Sequence, residues 1–286
     1  MVKKLVNLLR KWLYKSLDKN KKEKLNFLKN KLIVENLSFK FFSSLKKDFK
    51  LDNKVLVGTH HKTGTAWMEK IFIQISLFHK LRYYNGKISK KMCNSNVIFN
   101  DHSNFKFGKI DFPYKGIHLI RDPRDVIVSA TFYHQKSLES WLHIPRKKFG
   151  GKTYQEKISS FDKIDNKILF EMEHSSKNNI IDMMKWDYNN KNFYEVKYED
   201  LIKDVNLNLF HDIFLFLGFP GKVLPSLLEI AYRNSLFSDR INQSRHVRSG
   251  KINQYKKYFK TIHKKRFINL FGDVLTQLGY EKNNSW

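Results

Sequence analysis

A chain of 286 residues with 41% hydrophobic and 15% aromatic content has ample material for a buried core, which excludes an intrinsically disordered protein. Its formal charge of +27 is the compositional outlier, compatible with nucleic acid, an anionic membrane or an acidic ligand. The single cysteine, Cys93, excludes an internal disulfide and a cysteine-based zinc cluster, and it points to a reducing, cytoplasmic setting.

In residues 1–16, Leu5, Leu8, Leu9, Trp12 and Leu13 share one helical face, with Lys3, Lys4, Arg10, Lys11 and Lys15 around the rest. The pattern predicts a helix packed on the body of the protein and is also compatible with weak contact at a membrane surface. No apolar run approaches the roughly 18 residues needed to cross a bilayer. Residues 17–50 are rich in Lys and Asn with mixed helical periodicity, so 1–50 reads as a basic helical extension and 51–286 as the main domain. Nothing in 51–286 resembles a linker between two cores.

Val55-Leu56-Val57-Gly58 predicts a short buried strand, and Thr59-His60-His61-Lys62-Thr63-Gly64-Thr65-Ala66-Trp67 a polar loop opening an amphipathic helix through Ile71, Ile75 and Phe78. A strand–loop–helix turn aims free backbone N–H groups and the positive end of a helix at one point, which suits a phosphate. A Walker A loop has Lys after its glycine and before Ser or Thr; here Lys62 precedes Gly64, so the loop is of another kind. Further strands are expected at Asn96–Asn100, Gly116–Ile120 and Phe193–Lys197. Helical segments follow the first, 116–120 and 193–197 strands, which predicts an α/β fold with a central parallel β-sheet flanked by helices. Arg121 stands at the carboxyl end of the 116–120 strand, Pro123 opens the next helix, and Ser129 lies about two turns along it.

At these residues the chain resembles the sulfotransferases that use 3′-phosphoadenosine 5′-phosphosulfate (PAPS). Lys62-Thr63-Gly64-Thr65-Ala66-Trp67 is similar to their 5′-phosphosulfate loop, and Arg121-Asp122-Pro123-Arg124-Asp125-Val126 through Ser129 to their 3′-phosphate motif. Tyr198-Glu199-Asp200-Leu201 resembles the segment whose tyrosine lies near adenine. Arg248-Ser249-Gly250-Lys251, followed by Tyr255 and Phe259, resembles the late loop that closes over the 3′-phosphate. The resemblance runs from about Val55 to Tyr280 and implies a single domain, P-loop nucleoside-triphosphate-hydrolase-like in fold.

Under that resemblance the amides of Thr63, Gly64 and Thr65 hold the phosphosulfate. Lys62 neutralises charge on the bridging oxygen as the sulfuryl group leaves. Arg121, Ser129 and Arg248 grip the 3′-phosphate, and Trp67 stacks on adenine or is core. The implied reaction is in-line transfer of a sulfuryl group from PAPS to a hydroxyl or amine, releasing adenosine 3′,5′-bisphosphate (PAP), with no metal. Transfer needs a base. His102 follows a strand end where many relatives keep their catalytic histidine; Asp101 is the second candidate, and His60 and His61 flank the loop. His118, inside a strand, reads as a satisfied core residue.

Three departures stand out. Ala66 replaces a threonine hydroxyl, and Ser249 replaces a lysine. Lys257, Thr261 and Ile262 fit a dimerisation segment of the family, but Arg266 reverses the charge of its glutamate, so monomer and dimer both stay open. The expected acceptor is a small molecule or a glycan; Phe132, Tyr133, His134, Trp141, His143 and Phe149-Gly150-Gly151 form a gate beside its pocket. Two rival readings remain. A P-loop kinase or NTPase would need Gly-Lys-Ser/Thr, which is absent, and a magnesium carboxylate, for which Asp101 is a faint match. A nucleic-acid-binding protein would explain the charge but not two anion sites, and no such motif appears. The excess of scattered Lys over Arg is explained equally well by compositional bias.

Overall fold

A computed structural model describes residues 28, 30, 31, 48–86, 92, 94–235 and 250–286. The expectations for 1–16, for most of 17–50, and for Cys93, Arg248 and Ser249 therefore lie outside the described residues. The chain divides into two compact units, one built on 30–122 and 182–252 and the other on 123–181 and 253–286.

The first unit holds β1 (Lys54–Gly58), α1 (Thr65–Phe78), β2 (Tyr83–Asn85), β3 (Val97–Asn100), β4 (Tyr114–Ile120) and β5 (Phe193–Lys197). The five strands lie in the order β2-β3-β1-β4-β5, and every pair is parallel. All their carboxyl ends therefore reach the same edge of the sheet. β1 and β3 are buried on both faces, which is why they read as unbroken apolar runs rather than alternating ones. Of the four expected strands β5 has the expected bounds, β1 begins one residue early, β3 one residue late and β4 two residues early. β2 was not expected: three half-buried residues carry no apolar run.

Side chains of opposite parity build two cores. On one face Val55, Val57, Val97, Phe99, Ile117 and Leu119 meet Met68, Ile71, Phe72 and Ile75 of α1, with residues of the helices Asn208–Phe216 and Leu224–Asn234. On the other face Leu56 and Ile98 pack with Phe105 and Phe193, and Trp186 lies against them. Gly116 permits this second face to close, because a Cβ there would sit 2.4 Å from the Phe193 ring.

The second unit is helical. It contains α2 (Pro123–His134), α3 (Tyr154–Ser159), α4 (Ile164–Glu173), and the later helices Tyr255–Tyr258, Thr261–Phe271 and Val274–Gln277. Pro123 opens α2 as expected, with Asp125 in the first turn and His134 in the last, each favourable to the helix dipole. A Thr153–Glu156 capping box starts α3. Leu142, Phe149, Tyr154, Ile158 and Phe170 form its aromatic core, with Trp141 and Phe161 against them.

Candidate active site

Because the sheet is parallel, the segments singled out in the sequence emerge at one edge: the Lys62 loop after β1, His102 after β3, Arg121 after β4 and Tyr198 after β5. The loop is stitched from within. The His60 carbonyl accepts from the Thr63 amide (3.1 Å) and from the hydroxyls of Thr63 (2.8 Å) and Thr65 (2.8 Å). The Thr63 hydroxyl in turn accepts from the His60 amide (3.0 Å). Thr63 is thus spent on holding the loop, and its amide is not available to a ligand. Among the described residues the amides of Gly64, Thr65 and Ala66 donate to no protein acceptor, and they open the 14-residue helix α1. Of the three amides expected from sequence, that of Thr63 bonds within the loop and those of Gly64 and Thr65 are open.

Gly64 takes φ 113°, and a Cβ there would come within 3.2 Å of the Tyr198 ring and 3.3 Å of Leu119. Only glycine meets both demands. Lys62 sits at φ 67°, a left-handed conformation costly for a lysine. Its carbonyl accepts from Arg121 Nη1 at 3.2 Å.

Arg121 is buried, with 6% exposure. Its Nη2 donates to the Lys251 carbonyl at 3.3 Å, and its guanidinium lies 4.4 Å from the centre of the Tyr198 ring. One planar cation therefore joins the Lys62 loop, the Tyr198 segment and the segment just after Gly250. The neighbouring Asp122 amide donates to Glu199 Oε1 at 3.1 Å. Burial raises the Glu199 carboxyl, while that hydrogen bond and the Arg121 charge act against the shift.

His102 is exposed, and its amide donates to Asn100 Oδ1 at 3.0 Å in a turn closing β3. Its charge reaches two neighbours: it helps lower the buried His60, and it works against the burial that raises Asp182. Asp101, beside it, is half-buried. His118 is buried and doubly bonded as expected, its Nε2 lying 2.8 Å from His60 Nε2 and its Nδ1 2.6 Å from Glu195 Oε2.

Trp67 is 8% exposed, edge-on to Tyr198 and Phe210 at 6.0 Å each, which places its ring in the core between these neighbours. Ser129 is half-buried in α2 of the helical unit. Gly250 is half-buried at φ 61°. Lys251 and Glu199 were named in the sequence only as members of their segments, and Glu195 was not singled out. Glu195 carried a signal, a carboxylate in the middle of a strand that otherwise looked buried. Among the described residues, no group of three or more His, Cys, Asp or Glu could hold a metal ion, and no helix is long and apolar enough to cross a membrane.

A parallel sheet with open helix amides after one strand and a buried arginine after another defines an α/β protein that binds an anionic ligand at its strand ends. The sulfotransferase domain family matches residues 109–279, more than half of the chain, and the chain belongs to that family. It is therefore a sulfotransferase, an enzyme that moves a sulfuryl group to an acceptor. Among solved structures it is similar to the mouse sulfotransferase SULT7A1 complexed with PAP, at 20% identity and a TM-score of 0.48, over 80% of this chain and 85% of that one. A search of curated proteins found no match. The matched segment includes Arg121, Ser129 and Tyr198 and begins after Lys62 and His102.

Proposed function

We propose that the strand-end edge is the donor site, and that the acceptor is a hydroxyl or amine on a small molecule or glycan. The amides of Gly64, Thr65 and Ala66 take the 5′-phosphosulfate, where the N-terminus of α1 favours negative charge. Lys62 neutralises the bridging oxygen as the S–O bond breaks, a charge that develops only as the sulfuryl group leaves. Arg121 takes the 3′-phosphate with Arg248, and Tyr198 borders the adenine. Ser249 and Gly250 belong to the closing loop. His102, exposed at the same edge, takes the acceptor's proton as the new S–O bond to a hydroxyl, or S–N bond to an amine, forms. Trp67 supports Tyr198 from the core rather than stacking on the base itself.

The observation that carries this reading is the Arg121 guanidinium, which binds the Lys62 carbonyl and covers the Tyr198 ring. It brings the expected 5′ loop, 3′ cation and adenine neighbour into mutual contact. The experiment is incubation with sulfur-labelled PAPS and a panel of glycans, phenols and lipid alcohols, with Lys62→Ala in parallel. Label should reach an acceptor with the native chain. The variant should lose transfer yet bind PAP with nearly native affinity. Unchanged turnover in the variant would remove Lys62 from its role.

A further inference from the structure

A second chain of side chains runs across the sheet, and the donor site makes no use of it. Trp186 Nε1 donates to Glu195 Oε1 at 2.7 Å, leaving Oε2 to face His118 Nδ1 at 2.6 Å. His118 Nε2 faces His60 Nε2 at 2.8 Å, and the His118 ring stacks on Trp186 at 3.9 Å with 16° between planes. Sheet register builds this row: His118 is paired with Glu195 on β5 and with Gly58 on β1, two residues before His60. The outer end reaches solvent, with the Glu195 side chain 31% exposed, whereas His118 is fully buried. The inner end, His60 Nδ1, is buried and has no hydrogen-bond partner among the described residues.

Two neutral imidazoles joined through their Nε2 atoms share one hydrogen, so the tautomer of one dictates that of the other. Only two neutral arrangements exist. With Glu195 ionised, His118 donates from Nδ1, His60 donates from Nε2, and His60 Nδ1 is a bare acceptor. With Glu195 protonated, its hydroxyl donates to His118 Nδ1, His118 donates from Nε2, and His60 carries its hydrogen on Nδ1.

We propose that His60, His118 and Glu195 form a reversible proton relay between His60 Nδ1, at the root of the phosphate loop, and Glu195 at the solvent-facing end. The step balances: a proton arrives at His60 Nδ1, the His60 Nε2 hydrogen passes to His118 Nε2, and the His118 Nδ1 hydrogen passes to Glu195 Oε2. The carboxylic acid so formed holds the proton at the solvent-facing end, and the reverse shift returns it to His60 Nδ1 and both rings to their first tautomers. Burial fits this direction of travel. It pushes Glu195 up to about 7 against the Trp186 hydrogen bond, holds His118 down to about 3, and keeps His60 well below its ordinary value. The moving proton is therefore the carboxyl's, while both rings stay neutral. The other titratable groups facing the row are His102, whose charge adds to that of His118 in depressing His60; Tyr188, with its ring 5.7 Å from His118; and Asp182, which faces His102. The use of the relay to hold the acceptor's proton during transfer rests on the donor-site reading above; the relay itself does not.

Nitrogen NMR of the full chain with isotope-labelled histidine tests it without any acceptor or donor. Between about pH 5.5 and about pH 8.5, two imidazoles should exchange tautomers with a common midpoint near that of Glu195, and neither should become cationic. Glu195→Gln, nearly isosteric, should freeze both in one tautomer across that range; matching shifts of the other histidines report that the variant is folded. Single tautomers throughout in the native chain, ordinary titration of both rings to the cation, or a switch that persists in Glu195→Gln would overturn the relay. Failure of the donor-site reading would appear instead as absent PAP binding, with the tautomer switch intact.

Discussion

Replacing Glu171 should separate the geometric from the electrostatic part of the core that holds the segment expected to gate the acceptor. Glu171 and His134 are both fully buried, and Glu171 Oε2 accepts from His134 Nδ1 at 2.7 Å and from the Tyr154 hydroxyl at 2.9 Å. Its Oε1 accepts from the Ser176 hydroxyl at 2.8 Å. Glu171→Ala strands three buried donors and opens a cavity, a loss of about 3–5 kcal/mol by comparison with other broken buried pairs. In a chain of this size that lowers the melting temperature by about 10 °C. Glu171→Gln behaves differently. Its amide oxygen can face His134 and Tyr154 while its NH2 faces Ser176, whose hydroxyl rotates to accept. Every hydrogen bond survives with neutral partners, so the cost falls to about 1–2 kcal/mol.

The assay is denaturant unfolding of both variants, with hydrogen exchange across 137–154. That segment is tied to the network through Gln155, which donates to the His134 and Ser137 carbonyls, and through the Tyr154 ring against Trp141. Faster exchange should be concentrated there in Glu171→Ala. A loss below about 1 kcal/mol for Glu171→Ala would show that the donors find other partners and would refute the reasoning. Equal losses for Ala and Gln would show that charge, not the hydrogen-bond count, holds the core.

Arg121→Ala should weaken PAP binding roughly 10- to 100-fold by calorimetry, the worth of a charged hydrogen bond, with Arg121→Lys in between because an ammonium cannot reproduce the fork. His102→Ala should slow turnover by about 100-fold or more with PAP affinity unchanged, and a near-native rate would move the base role to Asp101 or His61. Stability should also rise with pH on the acid side. His60 and His118 are lowered by burial, so between the folded value of His118, about 3, and the ordinary histidine value the unfolded chain binds more protons than the folded one. Their contribution is present above about pH 6.5 and is lost as pH falls, worth about 4–5 kcal/mol for His118 if the shift is fully expressed. Unfolding curves over that range in the native chain and in His118→Gln measure it; an unchanged slope in the variant would contradict the assignment.

What was legible in the sequence follows from what each feature depends on. β1 and β4 showed themselves because burial on both faces of a parallel sheet demands an unbroken apolar run, and the Lys62 loop because its glycine and helix start are local. β2 was missed because an edge strand of three half-buried residues needs no such run. The spent amide of Thr63 depends on its hydroxyl turning back to His60, a side-chain choice that no spacing encodes. The row His60–His118–Glu195 depends on register between strands 58 and 77 residues apart in the chain, and register is a tertiary property.

The Arg121 contacts also bear on how the two ends of the donor are bound. The guanidinium that is proposed to take the 3′-phosphate already holds the Lys62 carbonyl, at a residue kept in a left-handed conformation. A hydrogen bond to the backbone at that point opposes relaxation of the strained residue, and so fixes where the Lys62 side chain leaves the loop. Removing the guanidinium therefore does two things with one substitution: it takes a cation from one anion and slackens the loop that serves the other. Arg121→Ala should accordingly lower kcat as well as donor affinity, whereas loss of a cation that touched only the 3′-phosphate would raise KM alone. A kcat equal to that of the native chain at saturating PAPS would show that the loop keeps its shape without Arg121, and would leave the arginine a binding residue and nothing more.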